Sequence, residues 1–356
     1  MIKASTSAPI RTAIIGCGRV SRTAHYNTLL ENDDFEFVAV CDTNSDRAKK
    51  WAKTNGVKAY NDLDQMLDSE SLDFISINTP NGLHPTLGIK VAEHGINVMC
   101  EKPLGMSLKE VDNLIATCKK HKVRLFTVLQ NRFNATNQLL KRAIDKGRFG
   151  KIHKCTVTVR WSRELRYYTE DQGWRGNPEL AGGVFTNQSV HYIDTMQWLV
   201  GAEPVSVYAT METEMYPIDV ETHGSGIIRF ANGAIGTLDL SVLTYPDDKE
   251  GSIVIMGEKG SVKVGGKSMN KILEWDFEDS DPKDDALAQN SDYEPPTVYG
   301  FGHKEVYRRI GIILRHGKNI EMADGAEGRK SVKMLSALYE SSKKNRVITF
   351  SENRKG

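Results

Sequence analysis

A run of small residues, Gly16-Cys17-Gly18-Arg19-Val20-Ser21, stands between an apolar stretch and a stretch of helical period. At such a junction free backbone N–H groups and the positive end of a helix can receive a diphosphate. Gly16 permits the tight turn, and Gly18 lets the backbone approach a phosphate. Ser21 replaces the usual third glycine and is small enough for strand and helix to pack. Asp42 strengthens this weak motif, because it closes the next apolar run where a carboxylate would accept from adenosine ribose hydroxyls. That carboxylate would repel a 2'-phosphate, and Thr43 follows it instead of an Arg that could clamp one, so NAD is the expected cofactor over NADP. The plainer reading of Asp42 is a helix N-cap.

Two further groupings could touch a ligand. Asn78-Thr79-Pro80-Asn81, with His84 a turn later, ends the fourth apolar run, and contacts to ribose and diphosphate are expected there. The alternative is that Pro80 and Asn81 merely start a helix. Within 159–177 stand Arg160, Arg163, Arg166 and Arg175, interleaved with Trp161, Tyr167, Tyr168 and Trp174. Guanidinium forks bind phosphate or carboxylate, and aromatic faces cover sugar or base rings. Solvent-facing arginines and a packed aromatic interface would give the same letters. His25 reads as a structural histidine.

These side chains need elements to hold them. Up to residue 129, continuous apolar strands at 12–16, 36–42, 57–60, 73–78, 96–100 and 124–129 alternate with helical stretches. Such strands imply a parallel sheet covered on both faces. Beyond about residue 132 the strands alternate in polarity, at 154–162, 205–211, 224–230, 234–242 and 251–264, with Asn232-Gly233 and Glu258-Lys259-Gly260 as hairpin turns. Helices are expected at 135–146, 190–200, 303–315 and 325–342, and 276–296, rich in Asp, Ser and Pro, reads as a mobile surface loop. The expected fold is an α/β amino-terminal Rossmann domain, residues 1–132. An α+β carboxy-terminal domain, residues 133–356, follows with an open, mainly antiparallel sheet, whose uncovered face predicts a homodimer or homotetramer.

Composition excludes several roles. Lys+Arg 47 against Asp+Glu 46 gives no basic surface for nucleic acid or membrane. No apolar run reaches the roughly 20 residues of a bilayer span, and the first residues lack the apolar core of a signal peptide, so the cytoplasm is expected. Cys17, Cys41, Cys100, Cys118 and Cys155 are far apart and odd in number, which predicts reduced, buried thiols. No His and Cys grouping has metal-ligand spacing, so no metal is expected.

Glu101-Lys102-Pro103 after the fifth strand, together with the glycine loop and Gly182-Gly183…His191-Tyr192-Ile193-Asp194, resembles the glucose-fructose oxidoreductase and inositol dehydrogenase family (Gfo/Idh/MocA). The resemblance spans nearly the whole chain. It implies that Lys102 sits beside the nicotinamide and the substrate hydroxyl, often with a cis bond before Pro103. It also implies cofactor contacts from Glu101, Asn131, Trp174 and Arg175. Oxidising a secondary alcohol needs a proton acceptor while hydride leaves, and His191 suits that task at neutral pH. Lys102 would stabilise the developing charge on oxygen. Many relatives carry Asp at position 187; Asn187 can orient a hydroxyl but cannot act as a base. Asp194 would either orient the His191 ring or hold its helix to a neighbour.

A closer likeness, through 130–134, 159–163, Tyr167-Tyr168, 174–176, Asn187-Gln188, 243–246 and 299–303, resembles the branch that oxidises UDP-N-acetyl-glucosaminuronic acid at its third ring carbon. Such enzymes supply a ketosugar for diamino sugar acids of bacterial surface polysaccharide, the O-antigen of lipopolysaccharide among them. The likeness implies substrate contacts from Lys102, Arg160, Arg163, Tyr167, Tyr168, Asn187, His191, Tyr245, Tyr299 and His303. The competing readings are a dehydrogenase of a free polyol such as inositol, and a non-catalytic dinucleotide sensor.

Overall fold

The computed structural model describes residues 8–266, 268–294 and 300–350. The chain divides into two compact units, one of residues up to Leu129 together with Gly302–Val332, the other of Gln130–Phe301 and the chain from Lys333 onward. The boundary at 132 is therefore corrected in one respect. The stretch 302–332, read as part of the second domain, belongs to the first.

In the first unit, β1 (Ile10–Ile15), β2 (Phe35–Cys41), β3 (Lys58–Tyr60), β4 (Phe74–Ile77), β5 (Asn97–Cys100) and β6 (Leu125–Thr127) form a parallel sheet in the order β3-β2-β1-β4-β5-β6. β1 and β4 lie at its centre with every side chain of β4 buried, which is why these strands read as unbroken apolar runs. The helices between them have ordinary signals. Ser107 caps Leu108–Lys120 by accepting the Glu110 N–H, and Asn44 caps Ser45–Asn55 by accepting the Arg47 N–H at 3.0 Å. Helix Gly302–His316 packs on the same unit, and Tyr307 lies fully buried with its ring edge-on to Phe35 at 5.6 Å and Phe74 at 6.4 Å.

In the second unit, β7 (Ile152–Arg160), β8 (Pro204–Glu212), β9 (His223–Phe230), β10 (Ile235–Ser241), β11 (Glu250–Gly257), β12 (Gly260–Gly265), β13 (Lys271–Phe277) and β14 (Ile348–Thr349) form a sheet in the order β13-β12-β11-β7-β10-β9-β8-β14. All neighbours are antiparallel except β7 and β10. That pair is parallel because the long excursion through 161–203 intervenes and the β8-β9-β10 meander returns its third strand alongside β7. One face of the sheet is core and the other open: in β9, Ile228 and Phe230 are buried while Ile227 and Arg229 point out. Helix Val190–Val200 covers the inner face and ends at Gly201, whose φ of +64° suits the left-handed cap.

The expected mobile loop at 276–296 is corrected as well. Its first residues complete β13, and Pro282–Gln289 is a helix. Asp281 caps that helix, accepting the Asp284 N–H at 3.1 Å, and the buried Asp284 pairs with Arg142 and with Lys146. The acidic letters that suggested a solvated loop are the partners of cations elsewhere in the fold.

Tyr307→Ala is expected to lower the unfolding free energy by about 3–5 kcal/mol, with increased hydrogen exchange in β1 and β4. Protection lost only in the second sheet would contradict the assignment of helix Gly302–His316 to the first unit.

Candidate active site

The sheet order of the first unit reverses between β1 and β4, and at the carboxyl ends of these strands ligands bind in such folds. Gly16 has φ +91°, and a Cβ there would come within 2.7 Å of the Asn78 carbonyl oxygen, so only glycine lets the loop lie against the end of β4. Gly18 differs: a Cβ would meet no protein atom within 4 Å, so its face looks onto open space. Ser21 is buried and donates its hydroxyl to the Gly16 carbonyl at 2.5 Å, which explains how it serves in place of glycine.

Asp42 does more than the motif anticipated. Its Oδ2 accepts the Cys17 N–H and its Oδ1 the Asn44 N–H, both at 2.8 Å, while Arg47 lies 3.8 Å away. Asp42 is not the helix N-cap, since Asn44 is. It braces the glycine loop in a fixed, ionisable position, and a carboxylate oxygen retains a second lone pair for a ribose hydroxyl. Asn78 is buried, with Oδ1 accepting from Ser76, and its Nδ2 has no hydrogen-bond partner among the described residues. An orphaned buried donor, open space above Gly18 and a helix start together fit a dinucleotide.

Arg19 of the loop is exposed and Val20 half-buried, while Thr79, Pro80 and Asn81 follow the end of β4. His84 is corrected: it is fully buried, with Nδ1 2.8 Å from the Pro103 carbonyl and Nε2 3.0 Å from that of Thr79. Both ring nitrogens are spent on backbone, so the residue positions the two turns and does not reach a ligand.

The Lys102–Pro103 bond is cis, as the resemblance implied. Lys102 donates its backbone N–H to Glu101 Oε2 at 3.0 Å. Burial draws the Lys102 ammonium below its usual range, against the pull of Glu101. Glu101 is itself buried, and burial would raise it. His25 and His303, as donors to Oε1, outweigh that and hold the carboxyl well below its usual range. His303, expected near substrate, lies in the first unit beside Glu101, and His25 lies fully buried between Glu101 and Tyr307. The ligand atoms of His25, Glu101 and His303 lie within 4.8 Å of one another, a convergence that chain spacing does not reveal.

In the second unit, His191 sits on the first turn of Val190–Val200 and is 8% exposed. Gln130 Nε2 donates to His191 Nε2 at 3.2 Å, an arrangement that leaves Nε2 the acceptor and the ring proton on Nδ1. Asp194, one turn on, receives Arg132 through Nε at 2.8 Å and Nη2 at 2.7 Å. Of its two expected roles, holding the helix is the one observed. The turn Gln130–Phe133 thus grips the helix at two points, one of them His191.

Asn187 belongs to a separate turn, Val184–Gln188, not to the helix of His191. Asn187 and Gln188 both donate to the Tyr167 hydroxyl at 3.2 Å. Arg163 and Arg175 each stack on the Tyr167 ring, at 5.6 and 5.0 Å, and Arg175 also covers Trp174 at 4.7 Å. Arg163 is steadied by Asp248 at 2.8 Å and Arg175 by Asp171 at 3.4 Å. Asn131 is buried in the Gln130–Phe133 turn.

Three further expected substrate contacts have other surroundings, and a fourth lies outside the described residues. Arg160 is on the open sheet face between Asp239 at 3.2 Å and Glu250 at 3.8 Å, a cross-strand charge pairing. Tyr168 is buried in the core of its unit. Tyr245 is 90% exposed at a loop tip. Tyr299 falls outside the described residues. Sequence reading missed Glu221 and Tyr339. Tyr339 donates to Glu221 Oε1 at 2.6 Å, and a Cβ on Gly183 would meet that carboxylate at 2.4 Å. The paired glycines give the turn carrying Asn187 room to lie on Glu221.

Residues 10–129 match the oxidoreductase family with an NAD-binding Rossmann fold, and residues 137–263 match the GFO/IDH/MocA C-terminal domain. The chain is 40% identical to the WlbA dehydrogenase of Bordetella pertussis, solved with NADH and UDP-GlcNAcA, with TM-score 0.93 over 98% of this chain and 99% of that one. It is 37% identical to the WlbA dehydrogenase of Chromobacterium violaceum, solved with the same two ligands, with TM-score 0.92 over 99% of each chain. It is also 30% identical to the myo-inositol 2-dehydrogenase of Thermotoga maritima, over 71% of this chain and 74% of that protein.

Two outcomes follow from this geometry. Arg132→Ala takes a two-pronged partner from the buried Asp194 carboxylate and is expected to cost about 3–5 kcal/mol in chemical denaturation, whereas the Arg132→Met, Asp194→Leu pair recovers most of it. Equal losses would mean the ion pair is not what holds the helix. Burial also lowers His25 and His84 from the usual 6.5. The unfolded chain then binds more protons, so their share of stability is complete above 6.5 and is lost as pH falls through the lowered folded values. Glu101 adds a second loss below its ordinary 4.5. Unfolding free energy measured from pH 7.5 downward should decline in these two stages, with the first diminished in His84→Asn.

Proposed function

Because the chain belongs to the Gfo/Idh/MocA oxidoreductase family, we propose that it oxidises the hydroxyl on the third ring carbon of a UDP-N-acetyl-glucosaminuronic acid with NAD. The observation that carries this reading is the likeness, along nearly the whole chain, to dehydrogenases solved with NADH and UDP-GlcNAcA. A free polyol such as inositol is the second reading, favoured by the Thermotoga relative. It would not call for two guanidinium groups stacked on one tyrosine.

Bound NAD supplies the hydride acceptor. Gly16, Gly18, Asp42 and the corner from Asn78 to Asn81 are the residues to hold it. Lys102 is the residue to hydrogen-bond the substrate oxygen and stabilise its developing negative charge, and His191 the one to accept the hydroxyl proton. A lysine drawn below its usual range also exchanges a proton more readily near neutral pH, so the two groups can share the relay. Asn187 orients but takes no proton. Arg163 and Arg175, both against the Tyr167 ring, offer forks to a diphosphate or a uronic carboxylate.

The ketosugar product would pass to an aminotransferase in surface-polysaccharide (O-antigen) synthesis, which places the protein in the cytoplasm. A second copy would cover the open sheet face, where Tyr208 and Ile227 are exposed, giving a dimer or tetramer.

Incubation with NAD and a panel of UDP-sugars, free uronic acids and inositols, read as nicotinamide reduction in single turnover, tests the assignment. UDP-GlcNAcA should reduce NAD, and Lys102→Ala should slow that step roughly 100-fold or more while NAD still binds. Reduction by inositol and by no UDP-sugar would establish the second reading instead. Nicotinamide bound but reduced by no member of the panel would favour a dinucleotide sensor.

A further inference from the structure

Glu101 sits beside the lysine assigned to the chemistry, yet its carboxylate faces away from solvent into a cluster drawn from four stretches of chain. Oε1 receives His25 Nε2 at 2.9 Å, from the short turn Ser21–His25, and His303 Nε2 at 3.4 Å, from helix Gly302–His316. Oε2 receives the Lys102 backbone N–H. His25 is fixed in turn: its Nδ1 accepts the Tyr307 hydroxyl at 2.9 Å, so Nε2 carries the proton that goes to Glu101. Ser76 of β4 lies 3.4 Å from the same Nδ1. His303 and Tyr307 are four residues apart, so one helix face delivers both, and the two imidazoles meet edge to face at 5.0 Å. Nothing in the proposed reaction uses these side chains.

We propose that His25 and His303 are positioning residues for Lys102: by donating to Glu101 they keep a buried carboxylate ionised one residue away, and that charge keeps the Lys102 ammonium protonated. This rests on the role given to Lys102 in the proposed function. A carboxylate stripped of donors in a buried place would take up a proton, and its neighbour would lose the opposing charge. The titratable groups of the first unit around this turn are Glu101 itself, His25, His84, His303 and Tyr307. Burial keeps His25 and His84 below the ordinary 6.5 and Tyr307 above its usual range, so Glu101 is the charge that opposes the burial of Lys102. A hydrogen-bonded cluster of this kind lets helix Gly302–His316, far along the chain, govern the protonation of a residue at the end of β5.

The test reads Lys102 itself, without reference to turnover. In the full-length protein, competitive labelling of amines with fluorodinitrobenzene at a series of pH values, followed by peptide mass spectrometry, gives the titration midpoint of Lys102. His303→Leu should move that midpoint down by roughly one pH unit and Glu101→Gln by at least as much, whereas His303→Gln, which can still donate to Glu101, should stay near the wild type. A circular-dichroism spectrum like that of the wild type and a cooperative melting transition show that the variants are folded. A midpoint unmoved in both His303→Leu and Glu101→Gln, or moved equally by Leu and Gln at 303, would overturn the proposal. Should Lys102→Ala keep full activity while the labelling shifts appear as expected, the electrostatic inference stands and the catalytic reading alone is lost.

Discussion

A charged carboxylate is tolerated in a protein interior only where donors surround it, and around Glu101 that requirement ties the first unit together. The helix of the glycine loop must bring His25, β4 must bring Ser76, the residue after β5 must present its own N–H, and a helix from the far end of the chain must bring His303 and Tyr307. The charge therefore ties, in one step, the turn that follows the glycine loop to the residue after β5. Tyr307 adds packing to the same point through its edge-on contacts with Phe35 and Phe74.

The second unit solves its own positioning problem with the same physics. Helix Val190–Val200 is nearly all buried, and its apolar side chains alone would not fix its position on the sheet, because hydrophobic contact is not directional. Arg132 and Asp194 supply the direction, and Gln130 extends the grip to His191. Beneath the preceding turn, Glu221 accepts both the Tyr339 hydroxyl and the Phe185 N–H, so the approach of Asn187 is set by a second buried carboxylate. Burial pushes Glu221 up, in contrast to Glu101, since its hydrogen bonds do not offset desolvation.

The central strand positions in the first unit were legible because burial on both faces writes β1 and β4 as mostly apolar runs, and the glycine loop and Asp42 were legible because a turn against β4 admits few residues. What escaped was contact between distant letters. His25 read as structural and His303 as a substrate contact, because neither sequence position hints that both reach Glu101. The acidic stretch after β13 read as solvated because Arg142, Lys146 and Arg148, the cations that pair with it, lie more than a hundred residues earlier. Arg160 and Arg163, three residues apart, read alike. One points out from the sheet between Asp239 and Glu250, and the other turns with the chain beyond the strand onto aromatic rings.

The arginines also show how a structural cation differs from one able to hold a ligand. Arg132 commits Nε and Nη2 to one buried carboxylate, so the edge of the guanidinium that could grip an anion is already occupied. Arg163 meets Asp248 through Nη1 alone, and that same nitrogen takes the Ser162 carbonyl; Arg175 meets Asp171 through Nη1 at the longer distance of 3.4 Å. A guanidinium carries five donors in a rigid fork. A single carboxylate contact aims such a group and leaves its charge incompletely matched, while stacking on Tyr167 fixes its plane. Two aimed forks at one ring would suit an anion with separated charged groups, such as a diphosphate joined to a uronic acid. A neutral polyol would leave both with less than they had in water. The proposed preference for an acidic nucleotide sugar would then follow from how little of each guanidinium the fold itself consumes.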